Sequence, residues 1–394
     1  MRKYIILLFV SLLIYLFHFV TTKHGIYGDG NGYFALAHTL FFQHNLNFRP
    51  IYHYLSNFQG ASYIFSRVFW DIRATQTGVL NCPWLIGTSL FWIPSFMILW
   101  VINIFFNLRL GIFHPLFEFG CGVSGIVLVL GGLFFIEKYI RTFVDKTTSF
   151  LVVFSLFFST QLFYYGAFEP ALSHQVAFFL VSLYLYLSKK RETLYLTAFA
   201  ALGLGLLSIT RMSDGILLLP FILNQFFIWF KKRTFMHYFV FIACVFIGFV
   251  PQLLLQKSMY GSFFANPYLQ GEKGSFFLPT LSSFWNQLFS LQGGFFLWSP
   301  LFIVALIGMY VMVGKKKYKQ IGTFSLTGIF IFTLVLLSWF SRVPAGFGNR
   351  FFISSIPLFA IGLAYFFSRH RRVSIWFAAF CVLWNIMLLI LFYI

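Results

Sequence analysis

The chain reads as an all-α polytopic membrane protein, on three observations. Hydrophobic residues fill 60% of its 394 positions, charged residues only 9%, and mean hydropathy is +0.84, whereas soluble domains are roughly a quarter charged. The apolar residues come in stretches of about 17 to 22, the length of one bilayer crossing. The cations behind a net charge of +19 sit in short runs between those stretches, as in proteins that keep basic loops on the cytoplasmic side. Charge distributed this way does not indicate a nucleic-acid partner.

The first span is expected at roughly 4–20. It has the basic start and apolar core of a signal peptide but no small-x-small cleavage site, so it reads as an uncleaved anchor. Further spans are expected at roughly 115–136, 149–165, 175–188, 193–209, 215–230, 237–256, 295–313, 321–340, 351–367 and 373–392, about eleven in all. With the N-terminus inside, every basic run becomes cytoplasmic and the C-terminus lies outside. These runs are Arg2-Lys3, Lys138 to Lys146, Lys189-Lys190-Arg191, Lys231-Lys232-Arg233, Lys315-Lys316-Lys317 with Lys319, and Arg369 with Arg371-Arg372.

Residues 85–106 are equally apolar, yet counting them as a crossing would put four basic runs outside. The segment is therefore expected to lie along the membrane or re-enter it, with Pro83 and Pro94 helping it to bend. A further crossing within 107–120 would also restore the parity. Residues 1–394 then form one integral membrane domain, and 21–114 form its large first extracytoplasmic loop with in-plane helices.

Polar chemistry collects on the outer side. Asp29, Asp71, Glu118, Glu169, Asp214 and Glu272 fall there, with His24, His38, His44, His53, His114 and His174. That asymmetry favours an enzyme at the outer leaflet over a symmetric transport path, and the two halves show no inverted repeat. Cys82, Cys121, Cys244 and Cys381 lack metal-ligand spacing. The sixty phenylalanines are spread over every apolar stretch and read as packing and lipid-facing bulk.

Asp29 stands out within Gly28-Asp29-Gly30-Asn31-Gly32. An acid at the membrane edge is costly without solvent, a partner or a task. The flanking glycines remove bulk and permit tight turns, so a substrate could approach the carboxylate. The plainer alternative is that Asp29 or Asn31 caps a helix starting near Gly32.

Together these features resemble the GT-C superfamily of membrane glycosyltransferases, in the style of protein O-mannosyltransferases and lipid A aminoarabinose transferases. The resemblance rests on Tyr27-Gly28-Asp29-Gly30-Asn31-Gly32-Tyr33 after the first span and on Asn81-Cys82-Pro83-Trp84-Leu85-Ile86-Gly87 opening the in-plane segment. Three shorter stretches add to it: Glu169-Pro170-Ala171-Leu172-Ser173-His174, Thr210-Arg211-Met212-Ser213-Asp214 and Phe347-Gly348-Asn349-Arg350-Phe351. The chain departs from the family in having a single acid at the first-loop site and no large soluble C-terminal domain.

The resemblance implies inverting transfer of a sugar from a polyprenyl-phosphate donor to a lipid, glycan or protein acceptor on the extracytoplasmic face. The setting would be a bacterial inner membrane. Asp29 is then the general base, with Asp71 and Glu169 as supporting acids. Arg211 and Arg350 are the candidate phosphate ligands, with Arg342 a third, because a planar guanidinium can donate two parallel hydrogen bonds. Each has a plainer reading: Asp71 paired with Arg67 or Arg73, Arg211 paired with Asp214, or a snorkelling arginine. Glu169 and His174 are candidates to contact the sugar or hold a divalent cation. Tyr260, Tyr268 and Trp285 read as interfacial aromatics before they read as sugar platforms. The rival from another class is a flippase of lipid-linked saccharide without bond chemistry; a third reading is an inactive scaffold that retains the fold.

Overall fold

The computed structural model describes residues 2–57, 74–189, 193–265, 276–339 and 344–393. Among them the regular structure is helical, with extended pairing confined to isolated bridges between Ala74 and Leu80 and between Phe276 and Trp339. Eight helices among the described residues are long and apolar enough to cross a membrane, and shorter apolar helices lie beside them.

A helix stands at each expected span. The chain opens with α1 (Arg2–Thr22), then α2 (Gly30–His38) and α3 (Arg49–Ser56) in the first loop, then α4 (Ile86–Phe105) and α5 (Leu116–Ile140). The stretch expected as one span at 149–165 is two helices, α6 (Lys146–Phe158) and α7 (Leu162–Ala167). Asp145 starts α6 by accepting hydrogen bonds from the Thr147 and Thr148 amides at 2.8 and 3.0 Å. A hairpin of α8 (Ser173–Ser188) and α9 (Leu194–Ser208) follows.

After a 3-10 turn over Met212–Leu218 come α10 (Leu219–Lys232) and α11 (Phe235–Tyr260). Next is α12 (Leu281–Phe289), started by a reciprocal cap between Thr280 and Ser283. The span expected at 295–313 is divided at Pro300 into α13 (Phe295–Trp298) and α14 (Leu301–Val313); proline cannot donate to the preceding turn. Then come α15 (Lys319–Ser338), a 3-10 turn over Arg350–Ser355, α16 (Ile356–Arg369) and α17 (Arg371–Tyr393).

The basic runs gather at one end of the bundle. Lys3 pairs with Glu137 at 2.6 Å and the Lys189 ammonium lies 5.6 Å from the Tyr139 ring. Phe143 meets Tyr318, Tyr318 meets Tyr365, and the Arg369 guanidinium lies over Tyr365. The acids Asp29, Glu118, Glu169 and Asp214 belong to the other end. There Glu118, in the first turn of α5, meets His24 Nδ1 at 2.6 Å and accepts from the Tyr54 hydroxyl at 2.8 Å and the Gly25 amide at 3.1 Å. One buried carboxylate thus ties the first loop to the bundle.

At this acidic end α4 contacts two helix ends. Its first turn donates the Gly87 amide to Ile209 O, just past α9, at 2.8 Å. Further along, Ser95 and Leu99 lie against Gly120 of α5, and Phe96 meets Phe117 at the start of α5. The core is accordingly double. A large cluster fills the bundle, and a second, built on Phe34, Trp84, Trp92, Phe96 and Phe117, packs the first loop onto α4 and α5. Other phenylalanines, among them Phe17, Phe105 and Phe239, point outward from the bundle.

Candidate active site

Asp29 is held where α2 begins, after a turn that Gly28 makes at φ +53°. It occupies the cap position, yet its side chain makes no capping hydrogen bond. Its Oδ2 instead accepts from Arg350 Nη2 at 2.6 Å, a charge-assisted pair. The carboxylate remains 30% exposed, so one side of it is open. The neighbouring glycines serve packing more than access. A Cβ on Gly30 would come 2.4 Å from Ala171 O, and one on Gly32 would strike the Trp84 ring. Only Gly28 faces the site, towards Arg350 Nη1.

Arg350 reaches Asp29 from a turn that the sequence makes specifically. Gly346, Gly348 and Asn349 all take positive φ, 64°, 60° and 58°, a region open chiefly to glycine and asparagine. The Arg350 amide closes the turn onto Ala345 O at 3.0 Å, and Asn349 Nδ2 anchors it to Gln287 O and Oε1 at 3.0 and 2.7 Å. The Arg350 Nε is buried and finds no acceptor in hydrogen-bonding geometry.

Glu169 enters from the link between α7 and α8. Gln175 Nε2 grips that link, donating to Tyr165 O at 2.7 Å and Glu169 O at 3.0 Å. Burial raises the Glu169 pKa above the usual carboxylate range, against the opposing pull of the Tyr164 hydroxyl and the Arg350 charge. Tyr165, fully buried, brings its ring to the same place: a Cβ on Gly346 would meet the Tyr165 hydroxyl at 2.4 Å and Arg350 Nη1 at 3.7 Å.

Arg211 lies beside this pair in the extended residue between α9 and the 3-10 turn. Its Nε donates to Asp214 Oδ2 at 2.9 Å, and its Nη1 lies 3.5 Å from both Ser173 Oγ and His174 Nε2. The expected plain pairing with Asp214 is therefore present, and it aims the rest of the guanidinium inward. Phe351 covers it, 5.7 Å from ring centroid to guanidinium carbon. The two arginines meet at Tyr33. Its hydroxyl is pushed up to about 12 by burial and by the Asp29 carboxylate, against a hydrogen bond with Ser173 and the charges of Arg211 and Arg350.

Of the residues expected from sequence, Asp29, Glu169, His174, Arg211 and Arg350 come together. Glu169 turns to Tyr164 and His174 to Arg211. Asp71, Arg342 and Tyr268 lie outside the described residues. Tyr260 serves the loop, donating to Asn81 Oδ1 at 2.5 Å, and Trp285 is exposed. Among the described residues no three of His, Cys, Asp and Glu converge on a metal position. In the sequence Tyr33 and Ser173 stand only as motif neighbours, and Tyr165 carries one signal, its place four residues before Glu169.

No family model matches the sequence, and no curated protein matches it either. Among solved structures the chain is similar to the crystal structure of ArnT from Cupriavidus metallidurans bound to undecaprenyl phosphate, with TM-score 0.57 and 12% identity. The match covers 93% of this chain and 60% of that one, so the chain spans about three fifths of the length of the structure it resembles. The fold is thus ArnT-like, as the resemblance to membrane glycosyltransferases implies.

Proposed function

We propose that the chain is an integral membrane glycosyltransferase that moves a sugar from a polyprenyl-phosphate donor to an acceptor, on the outer face of a bacterial inner membrane. The observation that carries this reading is the convergence of Asp29 and Arg350, from opposite ends of the sequence, with Glu169, Tyr33 and Arg211 at one end of the bundle. That ArnT has this fold and was crystallised with undecaprenyl phosphate supports the lipid-phosphate class of donor.

In the reaction, Asp29 takes the proton of the acceptor hydroxyl as its oxygen attacks the anomeric carbon. The bond from that carbon to the phosphate oxygen breaks, its electron pair stays on the phosphate, and configuration inverts. Arg350, with Nε lacking an acceptor, and Arg211, oriented by Asp214, neutralise the charge that grows on the leaving phosphate. Binding the phosphate draws Arg350 from Asp29, so the base is released as the donor arrives. Glu169, entering beside Arg350, hydrogen-bonds a sugar hydroxyl.

The test is release of polyprenyl phosphate by the full chain in lipid, over a panel of radiolabelled polyprenyl-phosphate sugars, with Asp29→Asn in parallel. Turnover lost in the variant supports Asp29 as base. Turnover unchanged moves the base elsewhere. No turnover with any donor, while lipid-linked saccharide still crosses the bilayer, overturns the transferase reading.

A further inference from the structure

At the basic end of the bundle, far from the Asp29 cluster, α14 and α16 line an open cavity of about 560 Å³ that transfer chemistry does not use. We propose that this cavity binds an anionic phospholipid of the surrounding leaflet, its phosphate at Lys315, Arg369 and His370 and the start of an acyl chain along Ile307, Val311 and Phe366.

Two helical stripes build it. Ile307 and Val311 stand four residues apart on one face of α14, and Lys315 follows just past its end, leading from apolar to cationic. Phe366, Arg369 and His370 repeat that order at the end of α16 and just beyond it. At Gly308, which also lines the cavity, the two helices touch backbone to backbone: a Cβ there would come 2.1 Å from Gly362 O. The cavity runs from that contact towards Lys315 and Arg369. From Ile307 to the end of α14 the stripe covers about 9 Å, with Lys315 just beyond, room for a headgroup and the first carbons of a chain.

The lining has one sign of charge. No carboxylate is among the cavity residues, and neither Lys315 nor Arg369 has an ion-pair partner among the described residues. Among the described residues the other carboxylates at this end are engaged elsewhere, Glu137 with Lys3 and Tyr4, and Asp145 in the cap of α6. The Arg369 guanidinium rests 5.7 Å from the Tyr365 ring centroid, which fixes its position while leaving its donors to a phosphate. The positive-inside bias accounts for cations at a helix end. It does not account for a cavity with cations at one end and exposed aliphatic side chains, Ile307 at 47% and Val311 at 41%, at the other. That combination matches a phosphodiester joined to a hydrocarbon chain, and basic pockets between helices on this side of a membrane take anionic headgroups. A free phosphate would leave the apolar half unfilled.

The experiment is native mass spectrometry of the full chain released from detergent after equilibration with equal amounts of phosphatidylglycerol and phosphatidylcholine. The expected result is retention of phosphatidylglycerol over phosphatidylcholine, unaffected by excess inorganic phosphate. Lys315→Gln with Arg369→Gln should lower the phosphatidylglycerol-bound fraction roughly tenfold. The control Lys231→Gln with Lys232→Gln, at the same end but outside the cavity, should leave it unchanged. Val311→Trp, which fills the cavity and keeps every charge, should lower it as well. Each variant is checked for an unchanged melting transition, and Lys315→Arg with Arg369→Lys keeps the charge and should retain binding. Equal retention of both lipids, equal loss in the Lys231 and Lys232 control, or full retention in Val311→Trp overturns the proposal.

Discussion

Asp29 and Arg350 neutralise each other across 2.6 Å, so substitutions at the two positions separate chemistry from stability. Asp29→Asn removes the proton acceptor and leaves Arg350 an amide oxygen. Turnover should fall by about 10²- to 10⁴-fold, the usual contribution of a positioned base, while the melting temperature changes little; a drop in donor binding of the same size would argue against the base role. Arg350→Lys keeps one charge and loses the fork, and should cost about 10²-fold in kcat with KM less affected. Glu169 gives a pH signature. Its raised pKa means that the folded chain binds this proton more tightly than the unfolded chain does. That stabilisation is full below the ordinary glutamate pKa and is lost as pH rises through the raised value. Melting temperature measured against pH should therefore fall across that window, and the fall should shrink in Glu169→Gln; identical curves for the two proteins would remove Glu169 from the account. At this scale the sequence revealed ionised residues well, because so few are present that each needs a reason. It revealed Tyr33 and Tyr165 poorly, because a tyrosine in an aromatic-rich chain looks like all the others.

At the scale of elements, the first loop owes its position to glycines read at first as an opening for substrate. A methyl group on Gly32 has no space beside Trp84, so Gly32→Ala should destabilise by about 1–3 kcal/mol through displacement of α2. Gly111→Ala, with nothing within 4 Å of the added carbon, serves as the control, with both judged by thermal unfolding. The course of α4 is open to a direct measurement. If it lies across the acidic end, cysteines placed at Asn45 and Asn107 react with an impermeant maleimide from one side of the membrane, and a cysteine at Lys317 reacts from the other. Reaction of Asn107 from the Lys317 side would make α4 a crossing. Element positions were legible because long apolar stretches are the strongest signal a sequence carries. Their internal breaks were less so: the two-helix form of 149–165 carries no compositional mark, while the 3-10 openings before α10 and α16 are marked only by Pro220 and Pro357 in the helix turns that follow.

Across the whole molecule, the charge runs predicted which helix ends share a side, and the contacts among Lys3, Glu137, Tyr139, Lys189, Phe143, Tyr318 and Tyr365 bring most of those ends together. The pairing of the Asp29 end with the Arg350 turn could not be read this way, since no local pattern links residues 321 positions apart. That separation has a consequence during synthesis. Ribosome and insertion machinery deliver Asp29 321 residues before Arg350, so through that interval the nascent chain carries half of the charge pair. A chain cut short after α15 keeps most of its apolar helices, Asp29 included, yet has nothing to answer that carboxylate. The pair thus forms only once the chain beyond α15 has been made, and a fragment released before then holds Asp29 without Arg350.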